Sequence, residues 1–271
     1  MKGLERFLRW LAARPIFLKI SLWLLLAGAS FVSFAAVFYW LIFAWLPGSI
    51  LKESLICAGL IMIFTVTHEL GHLIGAKLTG VPTCGLYFLP LLGAAAIIDK
   101  KKKPLSRWKD LFFSLAGPLL GLLIILPLVA LNLTNFRPIL TSLIIWISIS
   151  LYNLFPIYPF DGGRVVLDIL ASFLKERMLF KISRILGIFL QLLITGLLIW
   201  AFFSIRPVSF WLAFLAVSSL WLPYLLIGKG RIVAEDRIGK PMRKPTVFAM
   251  SLFYLAIFGG YLVIFLSIWK F

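Results

Sequence analysis

The stretch Leu51–Leu78, LKESLICAGLIMIFTVTHELGHLIGAKL, decides how the chain is read, because it is a long apolar run that carries two histidines and a glutamate near one end. Crossing a hydrocarbon core of ~30 Å takes about 20 helical residues at 1.5 Å each, so this run spans with residues to spare. On a helix, His68 and His72 stand one turn apart on one face. They are the only two histidines in 271 residues. Titratable groups at membrane depth are costly unless a partner or a function retains them, which argues against a chance pattern.

Working outward, similar apolar runs occur at about 18–46, 108–132, 138–155, 179–204, 208–227 and 246–269. With 62% hydrophobic residues and a mean hydropathy of +1.05, the composition lies far from that of a soluble domain. The expectation is an all-α multi-pass membrane protein with about seven transmembrane helices. The first run is about twice the length of a signal-peptide core and is read as an anchor. Cys57 and Cys84, the only cysteines, indicate no disulfide framework and are read as packing residues.

The net charge of +17 comes from 27 Lys and Arg set in short clusters between the apolar runs. Lys2, Arg6, Arg9 and Arg14 precede the first run, Lys100 to Lys103 follow the second, Arg164 to Arg184 follow the fourth, and Lys229 to Lys244 precede the last. Every second loop is basic, so the positive-inside rule predicts a cytoplasmic N-terminus and an external C-terminus. A nucleic-acid partner is not expected, since no basic soluble domain exists to hold one.

Between the second and third runs, Thr83–Ile98 is apolar but broken by Gly85, Pro90 and Gly93. That chemistry suits a small membrane-associated β-hairpin or re-entrant segment near 83–98 better than a helix. Such backbone survives at membrane depth only where protein buries it, where it lines a cavity or where it pairs, so it is expected beside the active site.

The spacing His68-Glu69-x-x-His72 lets both imidazoles grip one zinc, while Glu69 is placed to move a proton during attack of water on a peptide carbonyl. Catalytic zinc takes three protein ligands, so one more donor is required. Among the ten acidic residues, Glu5, Asp99, Asp110, Glu176, Glu235 and Asp236 fall in or beside segments read as cytoplasmic. Glu53 lies about 22 Å up the same helix. That leaves Asp161 and Asp168. Asp161 is preferred, because Pro156, Pro159, Gly162 and Gly163 stop a helix and turn the backbone so that its carboxylate aims back into the bundle. Cys84 is a competing ligand, although mixed Cys and His sites are more often structural.

The HELGH helix, Ser114-Leu-Ala-Gly117-Pro118 and Asn153-Leu-Phe-Pro156 running on to Asp161-Gly162-Gly163 resemble the site-2 protease family of intramembrane zinc metalloproteases, over roughly residues 50–170. The resemblance implies one Zn2+ per chain on His68, His72 and Asp161, Glu69 as general base, and Asn153 as a polar support for the site or for unwound substrate. It also implies a three-helix catalytic core at 50–170, between an N-terminal anchor at 1–49 and C-terminal spans of unread role at 171–271. The longest break, about 77–107, is too short for the PDZ or CBS modules that many relatives carry.

The reaction so implied is endoproteolysis in or near a transmembrane helix of a membrane-protein substrate, at a site nearer the cytoplasmic face of the cell membrane. Substrate helix, bilayer and an unidentified regulatory membrane partner are the expected partners. A scaffold that merely kept a metal site does not account for Glu69, and a transporter would need a chain of intramembrane carboxylates that is missing. A prenyl-protein type of zinc peptidase would need a downstream glutamate ligand within a span, and there is none. The sequon Asn132-Leu-Thr134 lies too close to the membrane to be read as a glycan site.

Overall fold

A computed structural model describes residues 50–89, 93–98, 106–131, 136–157, 160–175 and 242–268, with isolated positions in 25–35 and 178–196. The elements are α1 (Ile50–Thr79), β1 (Thr83–Leu89), β2 (Gly93–Ile98), α2 (Arg107–Ala130), α3 (Arg137–Leu154), α4 (Asp161–Leu170) and α5 (Lys244–Ile268). Helices α1, α2 and α5 are long and apolar enough to cross a membrane, and Pro138–Leu154 within α3 is apolar but shorter. The expected spans at 18–46, 179–204 and 208–227 lie outside the continuously described residues, as do both chain ends and the Lys100 to Lys103 cluster.

Helix α1 buries one face, made by Ser54, Ala58, Ile61, Thr65, His68, His72, Ala76 and Thr79, at the three-to-four spacing of a helical stripe. Both histidines belong to that face. The helix ends at Gly80, whose φ of +68° is the left-handed conformation that a Cβ disfavours. There Val81 N–H donates to Ala76 O at 2.8 Å and Gly80 N–H to Lys77 O at 3.4 Å, while Val81 packs on Ala76 and Phe113. This is a Schellman stop, and it releases the chain into β1. Strand β1 pairs antiparallel with β2, from Leu89 opposite Gly93 to Thr83 opposite Ile98, with an irregularity between Thr83 and Gly85. Both strands lie against α1.

Helices α1 and α2 touch through small residues. A Cβ at Gly71 would run into the Ala116 carbonyl and come within 2.8 Å of the Gly117 Cα, and one at Gly75 would meet the Ala116 methyl at 2.5 Å. Without water to drive helices together in lipid, such close backbone approach is how they bind one another. Two buried hydroxyls are satisfied within their own helices: Ser142 donates to Pro138 O at 2.7 Å, and Thr79 to Gly75 O at 2.8 Å. The main core joins Ile61 and Phe64 of α1, Leu115 and Ile125 of α2, Leu143 and Ile147 of α3, Val165 of α4 and Ile257 and Ile264 of α5.

Candidate metal centre

Helix α3 stops where Phe155 turns extended (ψ 146°) ahead of Pro156, since the residue before a proline avoids the α conformation. Five residues later α4 begins at Asp161, so the chain reverses sharply. Gly162 makes the reversal tight: a Cβ there would collide with the Leu154 carbonyl and come within 2.6 Å of the Phe155 carbonyl oxygen. Asp161 therefore sits in the first turn of α4, where the positive end of the helix dipole favours a carboxylate.

From this turn Asp161 Oδ2 reaches His68 Nε2 at 3.1 Å and His72 Nε2 at 3.3 Å, and the two Nε2 atoms are 3.2 Å apart. His68, His72 and Asp161 are 4%, 4% and 7% exposed, and each offers one donor atom to a common point. Two nitrogens with free lone pairs and a carboxylate oxygen at such separations repel one another, and a metal ion among them, or a proton on His68 Nε2, relieves that repulsion. The donor set also has the right size: tetrahedral zinc with ligands at about 2.0–2.1 Å holds them about 3.3 Å apart. Among the described residues this is the one group of three or more His, Cys, Asp and Glu side chains that can hold a metal ion.

The surroundings orient the donors. His72 Nδ1–H donates to the Phe113 carbonyl at 2.7 Å; a carbonyl only accepts, so that contact puts the proton on Nδ1 and leaves Nε2 bare. The His72 ring lies over Phe113, centroids 5.0 Å apart, and fills the space beside Gly117, where a Cβ would strike its Nε2. His68 stands edge-on to Trp146 at 5.8 Å. Asn153, on the last turn of α3, donates from Nδ2 to Asp161 Oδ2 at 2.7 Å and to His68 Nε2 at 3.2 Å, while its Oδ1 accepts from the Asp161 N–H at 3.4 Å. That last contact fixes which way round the amide lies.

Glu69 is buried beside His72, near enough to interact with it electrostatically, yet is not one of the three converging donors. Of the competitors weighed from sequence, Asp168 is buried on α4 away from the donor group, and the Cys84 side chain lies outside the described residues. Cys57 is buried in the core with its Sγ 3.6 Å from the Pro138 carbonyl, as a packing residue would be.

Two features escaped the sequence reading. Arg164, read there as a topology charge, is ion-paired with Asp110 of α2, and its guanidinium lies 5.1 Å from the Phe113 ring centroid. This pair docks α4, and so Asp161, onto α2. The second is the role of α5, which was expected as a span but with no reading of its contacts: its Tyr254 and Tyr261 hydrogen-bond to carbonyls of α3 and α2. A signal for it lies in the sequence: Val247, Tyr254, Tyr261 and Ile268 recur at the seven-residue spacing of a helix-packing seam.

The fold and site define a helical membrane protein with a buried group of two histidines and one carboxylate that can hold a metal ion. Residues 56–144 match the family model described as Peptidase family M50. This match covers 89 of the 271 residues, the part of the chain that holds His68 and His72. A zinc metalloprotease of Methanocaldococcus jannaschii is 27% identical over 219 residues, covering 76% of this chain and 60% of that protein. A Synechocystis protein assigned provisionally as a zinc metalloprotease is 30% identical over 122 residues, 43% of this chain and 31% of its own length. The chain thus spans less than two thirds of the length of these curated relatives. A solved structure, the site-2 protease from M. jannaschii, aligns with a TM-score of 0.48 at 24% identity, covering 79% of this chain and 91% of that one.

Proposed function

We propose that the chain is a zinc-dependent intramembrane endopeptidase, in which His68, His72 and Asp161 hold one Zn2+ and Glu69 is the general base. The observation that carries this reading is the convergence of three buried donor atoms, each 3.1–3.3 Å from the others, beside a carboxylate that is not among them. When bound, zinc supplies a Lewis acid that polarises the scissile carbonyl and acidifies water. Glu69 accepts the proton of the attacking water and delivers it to the leaving amine nitrogen. Asn153 positions Asp161 through the hydrogen bond it donates to Oδ2 and the one its Oδ1 accepts from the Asp161 N–H.

Residues 50–170 form the catalytic core in this reading, within a bundle of about seven spans whose N-terminus is cytoplasmic and whose C-terminus is external, with the site nearer the cytoplasmic side. The substrate is a transmembrane helix of another membrane protein, unwound before cleavage because a helix keeps its carbonyls hydrogen-bonded and shielded. The β1–β2 pair is suited to hold such a strand by adding it to an edge that is unpaired among the described residues.

The test is zinc content and cleavage of a membrane-helix substrate by the detergent-purified full chain, beside Asp161→Ala and Glu69→Gln. The expected result is about one zinc per chain, weakened in Asp161→Ala and kept without activity in Glu69→Gln. Cleavage that survives Glu69→Gln removes the mechanism, and unchanged zinc in Asp161→Ala removes that ligand.

A further inference from the structure

Tyr254 and Tyr261 stand two turns apart on one face of α5, about 10 Å along its axis. Each sends its hydroxyl into the backbone of a helix packed against the donor residues, Tyr261 into α2 and Tyr254 into α3. Tyr261 is fully buried and donates to the Pro118 carbonyl at 2.9 Å; a Cβ at Gly121 would come within 2.6 Å of its oxygen. Pro118 follows Gly117, the residue against which His72 is seated.

Tyr254 donates to the Leu154 carbonyl at 2.7 Å. Leu154 is the last residue of α3, where helical carbonyls run out of intrahelical partners. It directly follows Asn153, and its carbonyl is also the surface on which Gly162 rests. The Tyr254 hydroxyl therefore grips the peptide that joins the residue orienting the carboxylate to the turn presenting it. Phe258, one turn on, backs the same corner with its ring 5.9 Å from that of Phe155.

We infer that α5 is a brace for the metal centre and that Tyr254 is a positioning residue, holding the α3–α4 corner so that Asn153 and Asp161 keep their places. This rests on the metallopeptidase reading, and α5 thereby gains a role no sequence motif gave it. A hydroxyl that only satisfied a stray carbonyl would contribute to stability and leave the site untouched.

The experiment compares wild type, Tyr254→Phe, Tyr261→Phe and, on the exposed side of α5, Phe248→Ala, each as the purified full chain in detergent. Zinc affinity is read by chelator competition, alongside Tm without metal and kcat and KM for a membrane-helix substrate. Tyr254→Phe is expected to weaken zinc about tenfold, as loss of a support to a metal ligand does, and to lower kcat with KM unchanged; Phe248→Ala should match wild type. A lower Tm with zinc affinity and kcat unchanged overturns the inference. If Tyr254→Phe does not accumulate, Tyr261→Phe is read on the same terms, and unchanged zinc affinity there overturns it equally. A wild-type chain that holds no zinc sinks the metallopeptidase reading instead.

Discussion

Asn153 shows how much one side chain decides at this site. Its amide donates to the carboxylate oxygen and to the imidazole nitrogen that converge on the metal position, and its own oxygen is tied to the Asp161 backbone. Replacing it leaves the donor set intact but unaimed. Asn153→Ala is expected to lower zinc affinity by about 10–100-fold, the usual loss when an outer partner of a ligand is removed, as measured by chelator competition; affinity equal to wild type would show that Asp161 is held by its turn alone. That His68 and His72 share one buried face was legible in the sequence because helical periodicity is local and the cost of a membrane histidine is general. Asp161 was legible because the prolines and glycines around it announce a turn. Which atoms Asn153 would touch was not, since that depends on where two helix ends meet.

At the scale of elements, the site is a matter of how α1, α2, α3 and α4 are held together. Gly71 and Gly75 let α1 and α2 meet backbone to backbone, and Arg164 clasps α4 to Asp110 of α2. Removing one member of such a pair leaves a largely buried charge without its counter-ion, a change that costs about 3–5 kcal/mol. Arg164→Met is therefore expected to lower the thermal midpoint in detergent clearly, whereas replacing both partners, Asp110→Leu with Arg164→Met, should recover much of the loss. The sequence placed α1, α2, α3 and α5 to within about two residues of their observed ends, because length and hydropathy alone fix a span. It gave no hint of the Arg164–Asp110 contact: the partners are 54 residues apart, and in a chain with 27 basic residues one arginine does not stand out. Helix α5 was opaque for a different reason. It is apolar on every side, so its inward face shows only in the spacing of its two tyrosines.

For the whole molecule, the candidate metal centre joins segments far apart in the chain, since His68 and Asp161 are 93 residues apart. An ion that binds there stabilises the folded bundle in proportion to its free concentration. At 100 times its dissociation constant zinc contributes about 2.7 kcal/mol, and a chain of this length responds by about 2–4 °C per kcal/mol. Stripping the metal should lower Tm by roughly 5–10 °C, equally in wild type and Glu69→Gln, and by far less in His72→Ala. A drop of the same size in His72→Ala would place the stabilising ion elsewhere.

Gly117 carries a consequence for relatives of this chain. It is small because the His72 ring occupies the volume its side chain would need. The two positions are therefore bound to each other in descent: while a lineage keeps the histidine in this place, any larger residue at 117 displaces it. A larger residue at position 117 is thus a mark by which relatives whose metal-site histidine has been displaced can be told, from sequence alone, from those that keep it in place.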